Sequence, residues 1–566
     1  MTGSLLSPGL ILIIGAALVP LLRGNLRSAY MLALPIAAFW HLLGLPYGEF
    51  GHLQVFGMEL TTLRVDRLST VFGYIFLIAA FLGLLYALHV KDTLQHVAAL
   101  AYAGSAVGAV FAGDLITLFV YWEGTAIASV FLIWASRTER AFAAGMRYLV
   151  VQVGSGVLLL AGVAMLYRDT GSIAFGHMGL VSPATWLIFL AFGIKCAFPL
   201  LHNWLQDSYP EATVSGTVIL SAFTTKLAVY ALARGFAGTE ILVPIGAAMT
   251  AFPIFYAVIE NDLRRVLAYS LNNQLGFMVV GIGIGTEMAI NGAVAHAFSH
   301  IIYKALLFMS MGAVLFRVGT IKGSELGGLY KSMPWTAGFC IVGAASISAF
   351  PLFSGFISKA LIITAAMDNG YFWTWLILLF ASAGVFHHSG IKIPYFAFFA
   401  HDSGKRCAEA PANMLLAMGV SAALCIGIGV FPDTLYGLLP FKVDYAPYTV
   451  EHVVTQLQLL FFSALAFTVL MRTGLYPREL RSVNLDFDWF YRRLGYDVAV
   501  ATGRGLQRLW DEFVDMIGDA ARGVVRGVYR HHGPGGALAR SWPTGEMAFW
   551  TTVLLAAYLL LSYLAF

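Results

Sequence analysis

The residues of this sequence that could do chemistry are charges placed where charge is expensive. Glu123 sits inside Asp114-Leu-Ile-Thr-Leu-Phe-Val-Tyr-Trp-Glu123, Lys195 inside Phe192-Gly-Ile-Lys195-Cys-Ala-Phe-Pro199, and Lys226 inside Ala222-Phe-Thr-Thr-Lys226-Leu-Ala. His296, His300 and Lys304 recur every four residues in His296-Ala-Phe-Ser-His300-Ile-Ile-Tyr-Lys304, which puts them along one slowly drifting helix face. Lys359 follows Phe350-Pro351-Leu-Phe-Ser-Gly355, where proline and glycine interrupt a helix and free backbone groups for water or ions. An ionised side chain at the centre of a bilayer costs about 2.5–3.5 kcal/mol even on the lenient insertion scale, so each of these needs a reason.

Proton handling supplies one. Removal from water penalises the charged form of a lysine, and a carboxylate nearby restores it, so a buried lysine beside a mobile carboxylate can toggle. The expected device is Glu123 pairing with Lys195 in one state and releasing it in another, with the proton passed through Lys226 and the His296, His300, Lys304 stripe toward Lys359. Simpler readings fit single residues: a lysine near a helix end can snorkel, and two histidines four apart can bind zinc. The sequence has no HExxH and no carboxylate near the histidines, and no metal or cofactor is expected. Cys196, Cys340, Cys407 and Cys425 are widely spaced and form no CxxC pair, so redox chemistry, if any, belongs to partners.

The elements that must position these charges are membrane helices. The chain has 566 residues, 59% hydrophobic and 11% charged, with mean hydropathy +0.78, more apolar surface than one soluble core can hide. The net charge of +4 gives no reason to invoke nucleic acid. Apolar runs of roughly 20 residues, the length that crosses the hydrocarbon core, recur near 4–23, 28–45, 66–89, 94–111, 114–134, 142–167, 184–200, 213–235, 242–260, 264–284, 287–315, 336–365, 372–400, 412–431, 454–472 and 547–566. The expected fold is therefore an all-α polytopic membrane protein of about 16 transmembrane helices. The first run lacks a basic n-region and a cleavage signal and reads as a permanent helix. With the N-terminus outside, the inside connections carry Arg23, Arg27, Lys91, Arg137, Arg140, Arg264, Arg265, Arg317, Lys322, Lys331, Lys405 and Arg406, against Arg64, Arg168, Arg234 and Lys442 outside.

Internal echoes suggest how the helices are arranged. Ala197-Phe-Pro-Leu200 and Ala349-Phe-Pro-Leu352 are the same tetrapeptide about 150 residues apart, and Asp114-Leu115 and Tyr121 are echoed by Asp262-Leu263 and Tyr269 at nearly the same offset. The two members of each pair lie five spans apart, and an odd offset reverses the direction of crossing, so such repeats are inverted. The resulting division is N-terminal helices over 1–93, a first repeat over 94–235, a second over 242–400 and further helices over 412–472. A cytoplasmic-side amphipathic segment over 475–545 and a terminal span over 547–566 complete it. In the amphipathic segment Leu506, Leu509, Phe513, Ile517, Ala521, Val524 and Val528 recur at helical spacing, with Arg504, Arg508, Asp515, Asp519, Arg522 and Arg526 on other faces.

The motifs Asp114–Glu123, Phe198-Pro-Leu-Leu-His-Asn-Trp-Leu-Gln-Asp207-Ser-Tyr-Pro-Glu-Ala212, Asp262-Leu-Arg-Arg-Val-Leu-Ala-Tyr-Ser270, Gln274-Leu-Gly-Phe-Met278 and His300-Ile-Ile-Tyr-Lys304-Ala-Leu-Leu-Phe308 carry a family resemblance. Over roughly residues 60–430 the chain resembles the antiporter-like subunits shared by respiratory complex I and Mrp-type cation/proton antiporters. Leu271–Met278 and Lys304–Gly312 look closest to the D-type subunit of the Mrp Na+/H+ antiporter. The resemblance implies that Glu123 and Lys195 are the carboxylate–lysine pair, that Lys226 and the His296, His300, Lys304 helix continue a central hydrophilic axis, and that Lys359 is its terminal lysine. It also implies partners: the other membrane subunits of a hetero-oligomeric assembly in a cell inner membrane, with protons and monovalent cations as cargo. The tail departs from the D-type pattern, and Leu485-Asp-Phe-Asp-Trp-Phe-Tyr-Arg492 with the final span resembles the lateral-helix tail of the largest complex I antiporter-like subunit. Two other assemblies use related subunits: a redox-driven complex I-like or hydrogenase complex, in which this chain would do no redox chemistry, and an inorganic-carbon accumulation system. No sodium ligand cluster stands out in the sequence.

Overall fold

A computed structural model describes residues 6–477, 479–480 and 484–565. The chain divides into two compact units, 1–484 and 485–566. The first is a helical bundle whose helices begin where side chains can satisfy the free N–H groups of a first turn. Asp66, Asp92, Asp114, Thr138, Ser182, Thr213, Asp262, Thr286 and Thr449 each accept a backbone N–H from the turn they cap.

Among the described residues, eleven helices are long and apolar enough to cross a membrane, not sixteen. The five expected runs that drop out have identifiable causes. The run at 4–23 gives only the short Pro8–Leu21 segment, and those at 184–200 and 336–365 are cut short as Pro183–Lys195 and Pro334–Ile347. Thr93–Val110 and Leu263–Ile284 are full-length helices whose apolar character is diluted, the first by Gln95, His96 and small residues, the second by Arg264, Arg265, Asn272, Asn273 and Gln274. Both lie well buried in the bundle, where protein rather than lipid surrounds them.

A two-stranded antiparallel hairpin, Gly48–Val55 with Met58–Val65, fills the gap between two expected spans, where the hydropathy pattern predicts no strand. Its two-residue turn, Phe56-Gly57, takes positive φ at both positions (49° and 77°), the twist that suits a tight hairpin. Asp114 pins it: one carboxylate oxygen accepts from Thr117 N (2.7 Å) to cap a helix, and the other accepts from Thr61 N in the hairpin (2.8 Å).

The two echoed tetrapeptides share one backbone geometry. Ala197 and Leu200 have φ of 61° and 71°, and Ala349 and Leu352 have 57° and 74°. Left-handed backbone at non-glycine residues costs of order 1–3 kcal/mol each, so both sites hold the same unfavourable break. The Asp114 and Asp262 echo is likewise structural, since each residue forms an isolated bridge, to Ala174 and Lys322 respectively.

Arg264 ties the Leu263–Ile284 helix to the chain that follows the first break. Its buried guanidinium donates to the carbonyls of Tyr209 (3.3 Å), Pro210 (3.1 Å), Ala212 (2.8 Å) and Thr213 (3.2 Å), and to the Thr217 hydroxyl. In the second unit Gly495–His532 is one 38-residue helix, about 57 Å long at 1.5 Å per residue, followed by Thr544–Leu564. The apolar positions expected along the first of these, from Leu506 to Val528, fall on that helix. Replacing Arg264 by Met leaves several buried carbonyls without a donor. The expected loss is at least ~2–3 kcal/mol, seen as a lower thermal midpoint of the detergent-solubilised protein; an unchanged midpoint would show that the clamp carries little stability.

Candidate functional site

The side chains singled out in the sequence are drawn into the middle of the first unit: Lys195, Lys226, His296, His300, Lys304 and Lys359 are all at most 1% exposed. Each lysine ends on a neutral oxygen. At the first break, the Lys195 ammonium donates to the Trp122 carbonyl (2.5 Å) and the Thr125 hydroxyl (2.9 Å), and lies 4.3 Å from the centre of the Trp122 indole. Glu123 follows Trp122 in sequence, yet its Oε1 is buried without a hydrogen bond. The expected carboxylate and lysine are therefore brought to the same place without being bonded. Gly156 makes room for the carboxylate, because a Cβ there would overlap Glu123 Oε1.

Lys226 donates to the carbonyl of Ser221 (2.6 Å), in the interruption between the Val214–Leu220 and Thr224–Gly235 helices. Lys359 does the same at the second break, donating to Ile347 O (2.7 Å) at the end of the Pro334–Ile347 helix, and lies 5.1 Å from the Phe277 ring. A helix that stops inside a bundle leaves carbonyls without N–H partners, and here two ammonium groups use them.

The Glu287–Val318 helix runs between these points. Lys304 donates to the Ser270 hydroxyl (2.9 Å) and, at longer range, to Leu267 O (3.4 Å). His296 Nδ1 is 3.0 Å from Ser358 Oγ, next to Lys359 in sequence, and its Nε2 is 3.4 Å from the Tyr303 hydroxyl, which donates to Gln274 Oε1 (3.1 Å). Both ring nitrogens of His300 are buried with no hydrogen bond. Lys226, Lys304, His296 and Lys359 are the charged neighbours of that imidazole, so it stands at the junction of the set.

Several positions at the site carry little signal in the sequence. Thr125, Ser270, Tyr303 and Ser358 are polar residues in apolar runs that are common as structural features; only the fold shows that they touch the titratable groups. His387, His388 and Lys392 carry a plainer signal, since three titratable residues lie in the expected span at 372–400. Chemically, the arrangement offers a cluster of buried proton donors and acceptors, among them both His300 nitrogens and a Glu123 oxygen without a hydrogen bond.

Residues 112–387 match the family described as NADH:quinone oxidoreductase/Mrp antiporter, transmembrane. The chain is 31% identical over 355 residues to the D-type Na(+)/H(+) antiporter subunit of Alkalihalophilus pseudofirmus, spanning 58% of this chain and 71% of that one. Its fold is similar to a chain of the Mrp complex from Dietzia sp. DQ12-45-1b, with TM-score 0.78 and 24% identity over 92% of this chain and 62% of that one. It is also similar to a chain of the membrane-bound sulfane sulfur reductase, an archaeal respiratory membrane complex, with TM-score 0.71 and 23% identity over 98% of this chain and 100% of that one. The chain is a multi-pass membrane protein.

The Thr125 hydroxyl accepts from Lys195 and donates to Trp122 O. Thr125→Val keeps the shape and deletes one acceptor of a buried ammonium, so the expected loss is about 1–3 kcal/mol of stability, measured by thermal melting. Thr125→Ser should melt like the parent; an unaffected valine variant would remove this hydroxyl from the lysine's site.

Proposed function

We propose that this chain, which belongs to the NADH:quinone oxidoreductase/Mrp antiporter transmembrane family, is the proton-translocating subunit of a multisubunit antiporter exchanging protons for Na+ or another monovalent cation. The observation that carries the reading is the set of buried titratable groups Lys195, Lys226, His296, His300, Lys304 and Lys359, with the half-buried Glu123 beside the first of them, across two helix breaks of matching geometry. Glu123 is the carboxylate that approaches and leaves Lys195, and their present unbonded arrangement corresponds to the released state. Lys226, His300 and Lys304 form the middle of the path, His296 links it through Ser358 to the neighbourhood of Lys359, and Lys359 is its far terminus. Each charge moved across the full membrane exchanges about 2.3 kcal/mol per 100 mV, an amount that a pKa change of about one to two units supplies.

The two breaks belong to two inverted repeats, 94–235 and 242–400, and the N-terminus lies outside in an inner membrane. In that orientation the hairpin at 48–65 is outside, and the connections bearing Arg137, Arg264, Lys331 and Lys405 are inside. The partners are the other membrane subunits of the assembly. A second reading, a proton-pumping subunit of a redox-driven respiratory complex, is favoured by one observation: the likeness to the sulfane sulfur reductase chain spans 98% of this chain and all of that one.

Purified whole complex in liposomes separates the two. Proton movement driven by a gradient of Na+, K+ or Li+ supports the antiporter; none with any of the three, alongside pumping on addition of reductant, supports the respiratory reading. In the same liposomes Glu123→Ala or Lys195→Ala is expected to abolish proton movement with the complex intact, and transport at the parental rate in either would exclude the pair. Lys359→Glu should retain more activity than Lys359→Ala because a titratable group remains. Equal loss would mean that charge sign or geometry matters more than titration.

A further inference from the structure

Outside the axis, a second buried cluster of titratable groups lies where the Phe372–Phe399 segment meets the end of the Leu242–Ile259 helix and the chain beyond Thr473. This segment is not regular: Phe386–Ile391 and Tyr395–Phe399 are π-wound, with one α turn at Lys392–Pro394 between them. Such winding is rare and concentrates at functional sites. Lys392 is 1% exposed at its side chain and donates to Val258 O (2.6 Å) and Glu260 O (2.8 Å), with Glu479 Oε1 3.6 Å away.

The two carboxylates around it differ. Glu260 is fully used: Oε1 accepts from the N–H groups of Asn261 (2.9 Å) and Asp262 (3.0 Å), and Oε2 from the Asn484 amide (3.1 Å). Glu479 Oε1 is buried with no hydrogen bond. Burial pushes the Glu479 carboxyl up from its ordinary range, and nearby Lys392 opposes that without cancelling it. Among the described residues, the titratable groups near Lys392 are thus Glu479 and Glu260 from neighbouring segments, and His387 and His388 on its own, of which His387 points away.

His388 connects this cluster to the axis. The Ser389 hydroxyl donates to Ser270 Oγ (2.7 Å), the same oxygen that accepts from Lys304 (2.9 Å). With its own proton so committed, Ser389 Oγ can only accept from His388 Nδ1 at 2.9 Å. That places a proton on Nδ1; Nε2 is buried and unbonded, and in the neutral ring it is a lone-pair acceptor. His388 and Lys392 are four residues apart along one wound segment, spacing that keeps side chains on a common side. His387 is turned elsewhere, stacked on Tyr476 at 5.5 Å and lining an apolar groove.

We propose that Glu479, Lys392 and His388 form a second proton portal, separate from Glu123 and Lys195, that joins the axis at Lys304 through the hydroxyls of Ser389 and Ser270. The inference rests on the proposed role in proton movement, and the orientation given there puts the portal at the cytoplasmic face. Glu479 takes up a proton and gives it to the neutral amine of Lys392. The resulting ammonium gives one to His388 Nε2, and the imidazolium releases its Nδ1 proton to Ser389. The Ser389 hydroxyl proton moves to Ser270, whose own O–H turns to the lone pair of the neutral Lys304 amine, reversing the direction of their 2.9 Å contact, and gives its proton there. Each bond that forms releases the next proton, and no co-reactant is needed.

The test uses inside-out vesicles carrying the whole complex, with assembly checked on native gels and the cytoplasmic-side pH varied. Glu479→Gln and Ser389→Ala are each expected to slow proton movement at least fivefold at pH 8.5 on that side, where protons are scarce, and less than twofold at pH 6.5. Glu479→Asp should behave like the parent. A loss equal at both pH values would mark a structural role and overturn the portal. Rates within twofold of the parent for both variants at both pH values, in vesicles where Glu123→Gln is inactive, would overturn it too while leaving the proposed function standing. Absence of ion-driven or reductant-driven proton movement in the parent vesicles would instead remove that function, and the portal with it. Ser389→Ala deletes one hydroxyl, so the test does not depend on a Lys392 variant assembling.

Discussion

Everything in this bundle answers to one constraint: an amine buried in an apolar core must find oxygen. A carboxylate bonded to a lysine favours the charged ammonium and holds it in that form. A carbonyl or hydroxyl accepts from an ammonium and from a neutral amine alike. Lys195, Lys226, Lys304 and Lys359 all end on such neutral oxygens, an environment that lets a proton come and go without dismantling the contact. Helix interruptions supply part of the oxygen, Ser221 O to Lys226 and Ile347 O to Lys359, the second of them beside the unfavourable backbone at Ala349 and Leu352.

The same constraint settles which helices face lipid. Thr93–Val110 and Leu263–Ile284 are poor membrane spans taken alone, but in the bundle their polar residues have protein around them. Arg264 shows how strictly the accounting holds, since a guanidinium at the start of a buried helix is covered by four backbone carbonyls and a hydroxyl of the preceding segment. Polar groups here are binding material between helices as well as titratable groups set in the core, and position alone separates the two.

Much of this was legible in the sequence because intramembrane charge is rare and helix-breaking prolines are conspicuous. All six expected cationic residues, from Lys195 to Lys359, lie buried in one unit, and the two tetrapeptide echoes mark equivalent turns. The lengths of the helices within the expected spans were less legible, and eleven of the described helices are long and apolar enough to cross by themselves. A hydropathic run near 184–200 or 336–365 does not reveal that its helix stops at Lys195 or Ile347, since a break depends on φ at individual residues. The hairpin at 48–65 was hidden because its Phe56-Gly57 turn lacks the usual Asn-Gly signal. Glu479 could not have been found by hydropathy at all, being a surface-type residue in a polar stretch that folding brings against Lys392. Ser389 and Thr125 became meaningful only once their partners, distant in sequence, were in place.

Gly156 has a consequence for how such a protein can change over generations. The glycine and the Glu123 carboxylate occupy complementary volumes, so any side chain acquired at 156 must displace the acid from its niche. Glycine is therefore required at 156 only while the acid keeps its niche. A lineage that gave up the carboxylate could fill the hollow with a methyl group and gain packing, and from then on regaining the acid would require two coordinated changes. The niche acts as a ratchet, because the acid is easier to lose than to regain.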